Sequence, residues 1–481
     1  MDRKNPAIKQ EVWDFIEKWP VYRKDVSDPL LYMDDDKRAD LQNRLLREQL
    51  RWLDEGSKYY QRKFKELGLV PEDIRTIEDL GKVPLTSKQE YMNCPEDFLL
   101  TFKKPMIYDH LWQITYTTGT TTGRPSPFYS TTHDYYAKLL QCRRRSKVAM
   151  MTPEDVQLSI MPIGALPHIA FYGVYDNTTA IHGPGIMACV GTKHPQFDIH
   201  NSMDYAIEAI RKYRPTILYS LTSYARQVLM RAQEKKEDFS SVRIIIAAGE
   251  PCSKGLRDDL RGRFAALGAQ NVFVTNAFAC TELQGSLPEC CEFSGCHNSS
   301  PDLFYLEVVD ENGKRLPDGQ QGLLALSHLN RRGTALLRYV TGDLATLSRE
   351  VCPHCGRPGE RLIATEGSSY AIRTKDLIKV KGTLINPAVI MEVLASKPQI
   401  EEYQVIIGKM DPKDPYSQDR MVIRIATSIE EKNTFADEIV KEIKNVSEVK
   451  PEIEFAAAKE IYNPEVVTKA IRFVDQRSKV T

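Results

Sequence analysis

The chain has 481 residues, 42% hydrophobic and 27% charged, with 65 lysines and arginines against 65 aspartates and glutamates. That length exceeds what one compact core holds, so two or three domains are expected. A net charge of zero argues against a protein that coats nucleic acid, and the basic run Arg143 to Arg145 reads as a solvated helix face.

The opening MDRKNPAIKQEVWDFIEKWP carries no apolar stretch of signal-peptide length. No run of 18 apolar residues occurs anywhere, so a cytoplasmic protein without membrane association is expected, its ten cysteines mostly reduced. From Arg38 to Leu67 apolar residues recur at spacings of three and four with charges between, which predicts helix. In PLTSKQEYM, Ser87 followed by Glu90 is a capping-box start for another helix.

Beyond about residue 110 the pattern changes. The runs VQLSIMP, PTILYSL, VRIIIAAGE and NVFVTNAF predict buried strands, and SMDYAIEAIRKY and SKGLRDDLRGRFAALG predict the helices between them. Such alternation implies an α/β fold with a mostly parallel sheet covered on both faces. LFYLEVVDENGKRLPDGQQGLLALSHL reads instead as strands joined by turns, in antiparallel hairpins. The expected organisation is a large N-terminal domain over 1–372 and a small α+β domain over 373–481. Within the first, a helical start runs to about 110 and a hairpin and metal region covers about 285–365.

Five threonines and two glycines fill the seven positions from Thr117 to Gly123, and Arg124-Pro125 ends the run. Glycine lets backbone amides approach an anion, and threonine hydroxyls add donors, so phosphate is one natural occupant. The stretch lacks Gly-Lys-Ser/Thr, and by itself it reads equally well as a surface turn.

Half of the cysteines fall in CCEFSGCH, from Cys290 to His297, and CPHCGR, from Cys352 to Arg357. Their spacing and softness suit a tetrahedral zinc held by Cys290, His297, Cys352 and Cys355, with Cys296 an alternative to His297 and Cys291 to Cys290. Four protein ligands leave no position for water, so the site would be structural.

Several of these segments, in this order, resemble one family. YTTGTTTGRPS is similar to the phosphate loop of the adenylate-forming enzymes, and KFKELGLVPEDIRTIEDLGKVPLTSKQEY to the N-terminal signature of the phenylacetate–CoA ligases among them. AAGEP, NAFACTE, YVTGD, IRTKDLIKVKG and TKAIRFVDQR resemble the adenine-side loop, a Tyr-Gly-x-Ser/Thr-Glu motif, the ribose motif, the hinge and the terminal segment. The resemblance implies an ATP-dependent aryl-acid or arylacetic-acid–CoA ligase that works through an acyl-adenylate, with ATP, Mg²⁺ and coenzyme A. It also implies a small C-terminal domain that moves between the two half-reactions.

Carried over position by position, it places Thr117, Thr118, Gly119, Thr120, Thr121, Thr122 and Gly123 on phosphate, and Ala248, Gly249, Glu250, Pro251 and Phe278 around adenine. Asp343 and Arg373 fall on the ribose, Thr281 on the α-phosphate and Glu282 on Mg²⁺. Lys469 falls on the carboxylate and α-phosphate, Lys375 at the hinge, and His168, Phe171 and Tyr172 along the acid pocket. Two departures stand out: one threonine more than usual between the loop glycines, and Phe278-Ala279 where the family has Tyr-Gly.

Two rival functions remain. One is an adenylating enzyme that hands its acyl group to an amine or a carrier-protein thiol. The other is a zinc-ribbon binding protein without catalysis. The expected partner is a small aromatic carboxylic acid, with no nucleic acid and no membrane; homodimerisation is left open.

Overall fold

The computed structural model describes residues 28–117, 125–161, 169–190, 201–249, 252–364, 370–373, 378–380, 383–385, 387–411, 414, 417–464 and 470–477. Tertiary contacts group the chain into two compact units. One comprises Met1–Gln157, Gly164–Ile186 and Ala277–Ile363; the other comprises Leu158–Ile163, Met187–Asn276 and Ala364–Thr481. This grouping differs from the expected 1–372 and 373–481, because the C-terminal segment shares a unit with the parallel strands.

In the first unit the helical run divides in two, Asp35–Gly56 and Lys58–Leu67. Ser57 makes the break: its N–H closes the first helix on Leu53 O, and its Oγ caps the second by accepting from Tyr60 N. The two helices bury Leu46, Leu50, Leu53, Tyr60 and Phe64 against Leu336, Leu337 and Tyr339. Each such side chain contributes about 1.5–3 kcal/mol relative to exposure. The expected capping box is present, with Ser87 Oγ accepting from Glu90 N (3.1 Å) and Ser87 N donating to Glu90 Oε2 (2.8 Å).

Strands Leu111–Tyr116 and Pro127–Thr131 pair antiparallel, so that Tyr116 faces Pro127 across the base of the Thr/Gly loop. A Thr131/Asp134 capping box then starts the helix Thr132–Val148. The expected hairpins form an antiparallel sheet in the order Cys296–His297, Arg361–Ile363, Tyr339–Ser348, Gln321–His328, Phe304–Val309. Its first turn closes through Gly313 N to Asp310 O (3.0 Å).

In the second unit, Ile217–Leu221, Ile244–Ala248 and Phe273–Asn276 run parallel, as their β-branched sequences predict. Ile160 N donates to Tyr219 O, which sets residue 160 beside the first of them. Helices Met203–Tyr213, Thr222–Glu234 and Lys254–Ala266 alternate with the strands. The C-terminal segment has a sheet ordered Glu452–Phe455, Asp419–Ala426, Glu402–Lys409, Phe473–Asp475. Its core combines Val405, Ile407, Ile423 and Ile425 with Ile439 and Ile443 of helix Lys432–Ser447. Arg226 of helix Thr222–Glu234 docks on it, donating to Ile400 O (3.2 Å) while pairing with Asp259 (3.0 Å).

Among the described residues, no helix is long and apolar enough to cross a membrane.

Candidate functional site

Of the site residues read from the sequence, Thr118, Gly119, Thr120, Thr121, Thr122, Gly123, His168, Glu250, Pro251, Lys375 and Lys469 lie outside the described residues. Arg373 is on the strand Ala371–Arg373. The remaining ones fall into distinct places.

Thr117 closes the base of the Thr/Gly loop. Its N–H donates to Ser126 O and its Oγ1 accepts from Ser126 N, both at 3.0 Å. Phe278, Ala279 and Cys280 pair antiparallel with Gly285–Leu287, and Phe278 is half-buried. Thr281 and Glu282 occupy the turn between these strands, both buried.

Glu282 is fixed at both ends. Its Oε1 accepts from Tyr339 OH at 2.8 Å, and its backbone O receives His328 Nε2 at 2.9 Å. Leu336 N donates to His328 Nδ1 (3.0 Å), so the ring proton sits on Nε2. Burial pushes His328 down to about 3, which keeps the imidazole neutral. Burial first, then the Glu282 carboxylate, raises Tyr339 well above its ordinary value, and it stays a neutral donor.

Gln284 completes the turn at φ 53°. Its Nε2 donates to Thr281 O (2.6 Å) and Thr115 Oγ1 (3.1 Å), and its Oε1 accepts from Ser130 Oγ (3.3 Å). One amide thus ties the turn to both strands flanking the Thr/Gly segment.

Asp343 is buried on the strand that begins with Tyr339. Gly342, at φ 83°, makes a bulge there: Leu323 faces Leu344 and Ala325 faces Val340, so Thr341 to Asp343 oppose Leu324 alone. A residue with a Cβ would be strained at that φ, and the bulge sets the direction of Asp343. Ala248 ends the strand Ile244–Ala248, and Gly249 follows it at φ 75° in the second unit. Phe171 and Tyr172 lie half-buried on the helix Ile169–Ile181, their rings 5.3 Å apart and edge to face. That helix is held to Thr132–Val148 by the buried pair Lys138–Asp176 (2.5 Å).

The Cys/His cluster assembles as the spacing predicts. Ligand atoms of Cys290, His297, Cys352 and Cys355 lie within 4.8 Å of one another. Cys290 Sγ is 3.9 Å from Cys352 Sγ, and Cys355 Sγ is 3.8 Å from His297 Nε2. Tetrahedral zinc with bonds of about 2.0–2.3 Å separates neighbouring ligands by about 3.6–3.8 Å, so this donor set fits the ion. Ser294 Oγ accepts from the N–H groups of Cys290 and Cys291 in one knuckle. In the other, Cys352 N donates to Arg357 O and Gly356 N to Cys352 O. Donation from the Cys290 thiol, then from His297, pulls Cys355 toward thiolate. Cys291 packs beside the cluster, and Cys296 is in the strand paired with Leu362, so neither replaces a member of the four.

Sequence reading passed over Tyr339, His328 and Gln284. Tyr339 was inside a quoted motif, YVTGD, and Gln284 stood two residues after Glu282. Either could have been asked what a polar group there would bond.

Known proteins resemble the chain over most of its length. The family model described as AMP-binding enzyme matches residues 60–330. A phenylacetate-coenzyme A ligase of Thermus thermophilus is 26% identical over 387 residues, covering 78% of this chain and 79% of the relative. One from Aromatoleum evansii is 24% identical over 466 residues, covering 94% and 97%. The crystal structure of 2-hydroxyisobutyryl-CoA ligase in the postadenylation state, in complex with R3-HIB-AMP, shares the fold with a TM-score of 0.79 at 20% identity, covering 94% of each chain. The chain belongs to the AMP-binding enzyme family and is an AMP-forming acid–CoA ligase, similar over most of its length to phenylacetate-coenzyme A ligases.

Proposed function

We propose that the chain activates an aryl or arylacetic acid as its acyl-adenylate and passes the acyl group to the thiol of CoA, releasing AMP and pyrophosphate. The observation that carries this reading is the braced Glu282 carboxylate, buried in a turn that Gln284 joins to the strands of the phosphate loop. Phosphoryl chemistry asks for such preorganisation, because its catalysis is mostly positioning and charge stabilisation. The carboxylate suits Mg²⁺, a hard cation that would neutralise charge on the phosphates. Asp343 would accept from the ribose hydroxyls and half-buried Phe278 would stack on adenine. Lys469, in the segment TKAIRF, would meet the charge that develops when the carboxylate attacks the α-phosphate.

Phe171 and Tyr172 favour an aromatic acid, since edge-to-face rings on one helix form an apolar wall with a polar tip. The domain reading goes with this function: 1–372 binds ATP and acid, and 373–481 turns about Lys375 between half-reactions. Cys290, His297, Cys352 and Cys355 would hold one structural zinc per chain. Metal analysis of protein never exposed to chelator tests that, and an empty cluster would remove the claim. A silent zinc-ribbon protein is disfavoured by the family match and by the buried acidic groups that such a role would not use.

Mass spectrometry of products from protein, ATP, Mg²⁺, CoA and a panel of aryl and alkyl acids tests the function. An aryl-CoA is the expected product. Alkyl-CoA alone would overturn the aromatic substrate, and acyl-AMP without thioester would move the acceptor to an amine or carrier thiol.

A further inference from the structure

Tyr339 is unusually constrained for a tyrosine offered only as a donor. It is completely buried, and its ring meets the Tyr91 ring edge to face, the centroids 6.2 Å apart and the planes at 86°. Thr86 holds the backbone on both sides, with Thr86 N donating to Arg338 O and Val340 N to Thr86 O. Arg338, just before it at φ 47°, is locked by Glu307 (2.8 Å) and Val83 O (2.8 Å). The phenol therefore has one aim, and Glu282 Oε1 stands in it. Among the described residues nothing donates to Oε2 of the same carboxylate.

We infer that Tyr339 is a positioning residue, whose hydroxyl fixes the Glu282 carboxylate so that Oε2 faces the cation of the metal–nucleotide complex. The inference rests on the reading of Glu282 as the Mg²⁺-facing group. Partners of metal-ligating carboxylates orient the ligand, and their loss typically costs tenfold or more in metal affinity.

The test compares Tyr339→Phe and Glu282→Gln with the parent chain. Mn²⁺ is titrated by electron paramagnetic resonance in the presence of a non-hydrolysable ATP analogue, and AMP affinity is measured without metal. Tyr339→Phe should weaken Mn²⁺ binding about tenfold and leave AMP affinity unchanged. Equal loss of both would mean a merely structural tyrosine and overturn the inference. Weakened Mn²⁺ in Glu282→Gln with none in Tyr339→Phe overturns the inference alone. No change in either overturns the reading of Glu282 as well. Should Tyr339→Phe not fold, 3-fluorotyrosine at 339 keeps the shape and donates more strongly. It should tighten Mn²⁺ without moving AMP, and an unchanged Mn²⁺ affinity would defeat the inference.

Discussion

The Cys/His cluster and the Thr281–Glu282 turn are near neighbours in the chain, both buried and both polar, yet they are built on different plans. In the cluster each member offers one ligand atom. Each knuckle closes on itself through short-range hydrogen bonds, and Leu31 and Val148 supply the apolar surround. The turn instead presents one carboxylate, and the side chains that hold it come from 46, 57 and 169 residues away along the chain, at His328, Tyr339 and Thr115. A closed site saturates its own polar groups. An open site has to keep one group under-used, and remote scaffolding prevents it from collapsing onto a local partner.

Substitutions can break that contrast. Glu282→Gln should lower adenylation by about 10²–10³-fold, measured by pyrophosphate release, with the fold retained. A fall of under tenfold would mean that the turn is structural, like the cluster. Replacing Cys352 by serine, or removing metal with a chelator, should act the other way: a loss of roughly 3 kcal/mol, or roughly 6–12 °C in Tm, with adenylation by the remaining folded protein unaffected. Equal activity loss without destabilisation would make the cluster catalytic.

His328 gives the turn a pH signature. Its folded value, about 3, lies below the ordinary 6.5, so the neutral ring contributes stability that is complete above pH 6.5 and lost as pH falls toward 3. Denaturant unfolding should show about 2 kcal/mol less stability at pH 5 than at pH 7, at a slope of about 1.4 kcal/mol per pH unit below 6.5. A profile no different in His328→Gln would mean that this histidine is not its source. The smallest effect is expected from Gln284→Asn, which tolerates the left-handed backbone but shortens the amide. About 1–2 kcal/mol should be lost, together with a higher KM for ATP; a KM that did not move would show that the link to Thr115 leaves the phosphate loop alone.

Much of the architecture was legible because it depends on local periodicity. The β-branched runs at Ile217–Leu221, Ile244–Ala248 and Phe273–Asn276 became parallel strands, and ENGK became a hairpin turn. The long helical run was over-read, because Gly56-Ser57 does not interrupt apolar spacing even though Ser57 stops one helix and caps the next. Spacing picked out the four residues whose ligand atoms gather in the structure, since knuckles keep their geometry within a few residues.

By itself, then, the chain determined its strands and helices, its cysteine knuckles and the order of motifs that marks its family, because each rests on residues close together in sequence. Only the tertiary structure decided that Tyr339 and His328 hold Glu282, that Gln284 joins the turn to the strands flanking the Thr/Gly segment, and that a bulge at Gly342 directs Asp343. Those depend on register between strands far apart in the chain, and a hydrogen bond across such a distance leaves no periodic trace in the sequence.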